Sequence, residues 1–95
     1  AAYQSVQGHG CDISNFDFTG ATLSTTHAIY FHDNNMTTAE VNLLASDLDS
    51  KLIGSISNPI NLGGSNDPPD SSSGGNDGDA AVLSLAGKGA AVTTS

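Results

Sequence analysis

Three histidines and one cysteine are the residues of this sequence best suited to hold a transition metal. His9 and Cys11 lie two positions apart in a glycine-containing segment, and His27 and His32 lie five apart. A zinc site needs three or four such ligands at spacings that bring them together. No predicted helix or strand places these four on one face, so we predict no metal site and expect the histidines to be exposed or at an interface.

Four aspartates lie close together in a glycine-rich segment, and their oxygens are of the type that binds Ca²⁺. They are Asp67, Asp70, Asp77 and Asp79. Because the ligand spacing of a twelve-residue calcium loop is absent, we interpret the segment as a solvated acidic loop. Residues 63–79 contain no large apolar side chain. Such a stretch cannot bury enough surface to offset its ordering entropy, so we predict a flexible, exposed loop there.

No residue pattern typical of catalysis is present. Asp47 and Asp49 lie two apart on a predicted helix and cannot share a face as a carboxylate pair. No serine lies in a nucleophile elbow, and residues 74–78 lack the lysine and hydroxyl of a phosphate-binding loop. We therefore predict that the protein is not an enzyme and has no cofactor.

The composition excludes two further classes of function. The chain has 95 residues, enough for one domain, and its ten acidic residues face only two basic ones, for a net charge of -8. Nucleic-acid and anionic-membrane binding both need a basic surface. The longest apolar runs are only a few residues, too short for a transmembrane span. Cys11 is the only cysteine, which excludes an intrachain disulfide and leaves an interchain disulfide as an open alternative.

The clearest predicted element is a helix at residues 38–52. Thr37 and Glu40 have the spacing of a capping box at its start. An apolar stripe then recurs at helical period, with polar residues, Asn42 and Asp49 among them, on the opposite face. The stripe consists of Val41, Leu44, Leu48 and Leu52.

A second helix is predicted at residues 79–87, with Asp77 or Asp79 as its cap and Gly87 and Gly89 at its end. Strand patterns occupy the other apolar segments, at residues 16–19, 60–62 and 90–94, with 27–32 as a potential extra strand.

An internal repeat connects two of these strands. Phe16-Asp17-Phe18-Thr19-Gly20 aligns with Ile60-Asn61-Leu62-Gly63-Gly64, with apolar residues at the first and third positions. The order strand, helix, strand, helix, strand is typical of parallel strands joined by crossover helices. We predict an α/β fold, a small repeat-like domain with a three-stranded parallel sheet and two helices, in which the strands at 16–18 and 60–62 are neighbours.

Residues 14–95 also resemble leucine-rich-repeat-like units, written loosely as LDLSGNxLT, a helix with ILxxL, GxLNLSGGxNxxP and LxxKGWTVTT. The matching segments read NFDFTG at 15–20, VNLLASDLDSKL at 41–52, INLGGSNDPP at 60–69 and LAGKGAAVTTS at 85–95. Two features depart from this pattern: Ala90 replaces the usual aromatic residue, and the segment 24–35 is longer. Such units occur in bacterial surface proteins and in bacteriophage structural proteins, tail-fibre and virion-surface proteins among them. Residues 11–25 also scan as three pentapeptide repeats, too few for one coil of a β-helix.

The remaining segments are the candidates for partner contacts. We divide the chain into an extended N-terminal arm at 1–12 and a single leucine-rich-repeat-like domain at 13–95 that includes the acidic loop. Arms of this kind are often ordered by a neighbouring chain. Aromatic and apolar residues anchor interfaces, and the alternative is that Ile29 and Phe31 only cap the chain's own sheet. The predicted partner-binding residues are Tyr3, Val6, Ile29, Tyr30 and Phe31.

The resemblance and the exclusions together predict a non-enzymatic virion structural protein of a bacteriophage. We expect it on the particle exterior, as a head-decoration (cement) protein or a fibre component. Its expected partners are other virion proteins, capsid or fibre chains, in a homo-oligomer or multi-copy assembly, without nucleic acid or membrane. The alternative is an adhesin-like binding module on a bacterial cell surface that recognises a protein or glycan.

Overall fold

The computed structural model describes residues 5–7, 10, 28–57 and 59–95. Within these ranges the chain forms four short strands and two helices. The first helix connects the second and third strands, and the second helix connects the third and fourth. A single 3-10 turn lies at Ser73–Gly75. The elements are β1 (Ser5–Gln7), β2 (Ala28–Tyr30), α1 (Thr38–Lys51), β3 (Ile60–Asn61), α2 (Gly78–Gly87) and β4 (Val92–Thr93).

The strands form one parallel sheet in the order β1-β2-β3-β4. Val6 is in register with Ile29, Ile29 with Ile60, and Ile60 with Val92. The prediction of a small α/β domain with a parallel sheet and two helices is confirmed, with β2, β3 and β4 as the three strands and the potential strand at 27–32 realised as β2. Ser5–Gln7 add a fourth parallel strand beside β2.

The predicted pairing of residues 16–18 with 60–62 is wrong. β3 has β2 on one side and β4 on the other, so both of its pairing edges are occupied. The predicted strand at 16–18 itself lies outside the described residues. Ile29-Tyr30-Phe31 has the same alternation of apolar and polar residues as the predicted partner, and a match of three residues cannot distinguish two such segments.

Part of the predicted arm has a partner within its own chain. Ser5–Gln7 pair with β2, and the Gly10 N–H donates to the carbonyl oxygen of His32 at 3.0 Å. An extended segment is stabilised when its backbone groups join an existing sheet edge. Ser5–Gln7 of the arm therefore form the outermost strand of the described sheet.

Helix α1 forms where its sequence pattern predicts. The Glu40 N–H donates to the Thr37 hydroxyl at 3.3 Å, and the Thr37 N–H donates to the Glu40 carboxylate at 2.8 Å, which completes the capping box. The four residues of the apolar stripe are all buried, as predicted. Asn42 corrects the prediction for the opposite face, because it is fully buried beneath the loop that follows β3.

The core lies between the sheet and the helices. Ile29, Phe31, Ile60 and Leu62 are directed inward and belong to the same buried cluster as Leu48 and Leu85. Asp77, one of the two predicted caps, precedes helix α2, and its carboxylate accepts from the Ala80 N–H at 2.9 Å. In the described part of the chain, neither helix has the length and apolar character needed to cross a membrane.

Candidate binding surface

The outer face of the sheet, opposite the helices, carries a regular pattern of side chains in the described part of the chain. Successive strand residues point to opposite faces, and Ile29, Ile60 and Val92 are directed toward the core. The residues beside them, Tyr30, Asn61 and Thr93, therefore form one row across the outer face, in mutual register. Tyr30 and Asn61 are half-buried and Thr93 is exposed. We call these three residues the outer row.

A second aromatic ring extends this row along β2. His32 lies two residues beyond Tyr30, and the two rings meet edge to face with centroids 6.1 Å apart. On the other side of the outer row, Pro59 and Ala91 are exposed. The described positions of this face carry aromatic, amide, hydroxyl and small apolar groups, without a carboxylate or an amine. Such a face can stack against a ring and exchange hydrogen bonds.

Asn66 holds the ends of β2 and β3 together beneath this face. Its Nδ2 donates to the carbonyl oxygens of Phe31 at 2.9 Å and Leu62 at 3.0 Å. Its Oδ1 accepts from the N–H groups of Asn34 at 3.0 Å and Met36 at 3.1 Å. The side chain is 3% exposed, so all four of its hydrogen-bonding positions are used inside the protein. This amide fixes the two turns that carry the strands.

Asn34 provides a related contact one repeat earlier. It is 2% exposed, and its Nδ2 donates to the same Phe31 carbonyl oxygen at 2.9 Å. In both turns an asparagine follows an inward apolar residue, Phe31 or Leu62, after a short polar spacer. The strand register relates residues 29–31 to residues 60–62, and the asparagine follows three residues after Phe31 in the first turn and four after Leu62 in the second.

A third buried asparagine organises the acidic loop. The Asn42 Nδ2 donates to the Asp70 carboxylate at 2.7 Å and to the carbonyl oxygens of Ser73 and Asn76, both at 3.1 Å. In return the Asp70 N–H donates to the Asn42 Oδ1 at 2.9 Å. Gly78 fits here because a Cβ at this position would overlap the Asn42 amide. The loop thus contacts α1 at defined points, although it lacks large apolar side chains.

Asp70 is stabilised as an anion by hydrogen-bond donors. The Ser73 hydroxyl and N–H, the Asn42 amide and the Ser72 N–H hold the pKa of Asp70 well below its ordinary value. Asp77 caps α2, as described above. Within residues 28–57 and 59–95, no three histidine, cysteine or acidic side chains form a group able to hold a metal ion. His9, Cys11 and His27 lie outside the described residues.

Lys88 connects the C-terminal ends of the two helices. Its Nζ lies 2.7 Å from the Asp49 carboxylate and also donates to the carbonyl oxygens of Asp49 and Leu52. Burial alone would raise the pKa of Asp49, but hydrogen bonds from Lys88 and Ser84 lower it below the ordinary value. Asp49 is therefore an ion-pair residue, whereas the sequence predicted only a polar surface position.

The predicted partner-binding residues do not share one surface in the structure. Ile29 and Phe31 are 0% and 3% exposed and belong to the core, which corrects their assignment to a partner surface and agrees with the alternative that they cover the chain's own sheet. Tyr30 lies on the outer face. Tyr3 lies outside the described residues, and only the backbone of Val6 is described, in β1.

Sequence reasoning missed Asn61 and Thr93 as neighbours of Tyr30. The signal that finds them is the inward position of Ile29, Ile60 and Val92, because the next residue on each strand must then face outward. The neighbours of Tyr30 can be identified from this alternation only when the three strands are aligned in their correct register. The chain matches no protein-family model and has no significant match among curated proteins or solved structures.

Proposed function

We propose that this chain is a non-enzymatic structural protein of a bacteriophage virion, located on the particle exterior as a head-decoration protein or a fibre component. The resemblance of residues 14–95 to leucine-rich-repeat-like units of phage structural proteins supports this proposal. So does the repeat-like order of strand and helix from β2 to β4. Proteins built from stacked repeats commonly bind partners through an extended face of the sheet.

The observation that carries the proposal is the outer row of Tyr30, Asn61 and Thr93 on a neutral face. A partner that docks there meets the ring of Tyr30, a residue type that anchors interfaces, beside two side chains that form hydrogen bonds. The protein carries a net charge of -8, so a neutral face also avoids the cost of burying carboxylates. The proposed partners are capsid or fibre chains.

Mass spectrometry of purified particles tests the assignment directly. A copy number that matches capsid sites supports head decoration, a handful of copies supports a fibre, and absence of the chain from every particle would contradict the proposal. Tyr30→Ala should lower particle occupancy at least tenfold while the circular-dichroism spectrum stays unchanged. Leu43→Ala is the matched control, because Leu43 is 39% exposed on α1, on the opposite side of the sheet.

An adhesin-like module is the second candidate, favoured by the chemistry of the same face. An aromatic ring beside an amide and a hydroxyl is suited to an uncharged sugar, which presents both apolar C–H faces and hydroxyl groups. Binding to a glycan array by the native protein, lost in the Tyr30→Ala variant, would support the adhesin. Particle occupancy without glycan binding would support the virion protein.

A further inference from the structure

Strand β4 presents an unpaired edge in the described sheet. The Ile60 N–H donates to the Ala91 carbonyl oxygen at 3.0 Å, and the Leu62 N–H donates to the Thr93 carbonyl oxygen at 2.8 Å. Because alternate residues of a strand bond to opposite sides, the backbone groups of Val92 and Thr94 are directed away from β3. No other described strand lies on that side. An edge of this kind is a template for another strand.

Helix α2 also carries apolar residues on the side of the domain where the edge of β4 is unpaired. Ala81 and Leu85 are buried against the core, as the inward face of the helix. Ser84 lies on the side of α1, since its hydroxyl bonds to Asp49. Steps of 100° per residue place Val82 and Ala86 on the side away from α1 and Leu83 next to them, on the side away from the core. Leu83 is 73% exposed and Ala86 is exposed, while Val82 is partly buried against the core. The helix therefore leaves Leu83 and Ala86 accessible to a partner.

The charge distribution sets this side apart from the rest of the molecule. All ten acidic side chains of the sequence lie at or before Asp79, and residues 80–95 contain none. The single charged side chain among them, Lys88, is engaged with Asp49. Asp79, in the first turn of α2, is the acidic side chain on this side of the helix. Although the whole chain carries a charge of -8, two copies can bring the rest of this side together without placing carboxylates in direct contact.

We propose that this surface, formed by β4 and the Val82–Leu83–Ala86 side of α2, binds a second copy of the same chain. The two β4 strands pair antiparallel across a two-fold axis, and the two α2 helices pack beside each other beneath them. A two-fold arrangement needs only one self-complementary surface and is the commonest form of oligomer. Antiparallel helices also place the two Asp79 side chains at opposite ends of the pair, about 15 Å apart for helices of this length.

The size of the surface sets the strength of the contact. A ten-residue helix beside a short strand covers a few hundred Å² per copy, less than the roughly 800 Å² of a standard interface. The dimer is therefore weak, with a dissociation constant above about 1 µM. Added salt strengthens it, because screening reduces repulsion between the acidic bodies and leaves the apolar and backbone contacts intact.

Sedimentation equilibrium of the full chain from about 1 µM to 1 mM, at low and high salt, tests this inference. The expected result is a monomer–dimer equilibrium that shifts toward dimer with salt. Leu83→Glu should raise the dissociation constant at least tenfold, and so should Thr94→Pro, which removes an N–H from the open edge. Ile53→Glu is the matched control, because Ile53 is 81% exposed outside this surface, and it should change the constant less than twofold.

Three results would overturn the inference: a monomer over the whole range, a dimer that Leu83→Glu does not weaken, or an open-ended series of oligomers, which indicates head-to-tail assembly. Circular dichroism of each variant confirms that the fold is retained. The inference goes beyond the proposed function and does not depend on it. A strictly monomeric chain whose Tyr30→Ala variant still loses particle occupancy would reject the dimer and retain the virion assignment.

Discussion

Replacing Asn66 by alanine removes the side chain that joins the two turns. The variant deprives the Asn34 and Met36 N–H groups of their acceptor, and the Phe31 and Leu62 carbonyl oxygens of a donor. All these groups lie around a side chain that is 3% exposed. Solvent therefore cannot replace the lost bonds without opening the turns.

The expected loss of stability follows from these four bonds. A buried hydrogen bond contributes about 1 kcal/mol net, which gives about 4 kcal/mol for the set. The Phe31 carbonyl oxygen keeps its bond from the Asn34 amide, so one group stays paired and the expected loss is about 3 kcal/mol. A domain of this length has a free energy of unfolding of about 5–14 kcal/mol. The substitution thus removes a large part of the total.

Equilibrium urea unfolding, followed by far-UV circular dichroism, measures this loss. Asn76→Ala is the matched control, since its exposed amide makes a single bond to the Gly74 carbonyl oxygen at 3.3 Å, and it should cost less than about 0.5 kcal/mol. A loss below 1 kcal/mol for Asn66→Ala, or equal losses for the two variants, would refute the role assigned to this amide.

Three further perturbations test other parts of the fold. Leu48→Ala should cost about 2–5 kcal/mol because Leu48 is 0% exposed, while Leu43→Ala on the same helix should cost less than about 1 kcal/mol; equal thermal shifts would show that the stripe is misplaced. The lowered pKa of Asp70 contributes stability above about pH 4 that is lost as the pH falls further, so Asp70→Asn should flatten the acid-side decline of the melting temperature, and an unchanged decline contradicts this. A double-mutant cycle with Lys88→Met and Asp49→Asn should give a coupling of about 0.5–1 kcal/mol, and additive effects would exclude a stabilising ion pair.

Local patterns predicted the helices, and non-local contacts explain what was missed. The capping box and apolar stripe of α1 lie within sixteen consecutive residues, and they fix its position, Thr38–Lys51. A local pattern could not predict which strand pairs with β3, because Phe16-Asp17-Phe18 and Ile29-Tyr30-Phe31 satisfy the same short pattern of apolar and polar residues. The burial of Asn42 depends on a loop 28 residues away, and nothing in the helix pattern distinguishes it from a surface asparagine.

The outer row on the sheet was predicted only in part. Tyr30 was predicted to bind a partner because it is an aromatic residue in a segment that is longer than the leucine-rich-repeat-like pattern. Its neighbours Asn61 and Thr93 are ordinary polar residues. Asn61 lies 31 positions after Tyr30, and Thr93 lies 32 positions after Asn61. Their proximity follows from strand register, and register depends on the turns that Asn66 fixes.

The all-parallel sheet has a consequence for how the chain folds. Val6 pairs with Ile29, Ile29 with Ile60 and Ile60 with Val92, so paired residues lie 23, 31 and 32 positions apart. Each pairing must close a long loop before any of its hydrogen bonds forms, which slows folding. The helices, in contrast, form hydrogen bonds only between residues that are close in the sequence. We therefore expect refolding to proceed from helical segments to the sheet, with the outer face among the last surfaces to be assembled.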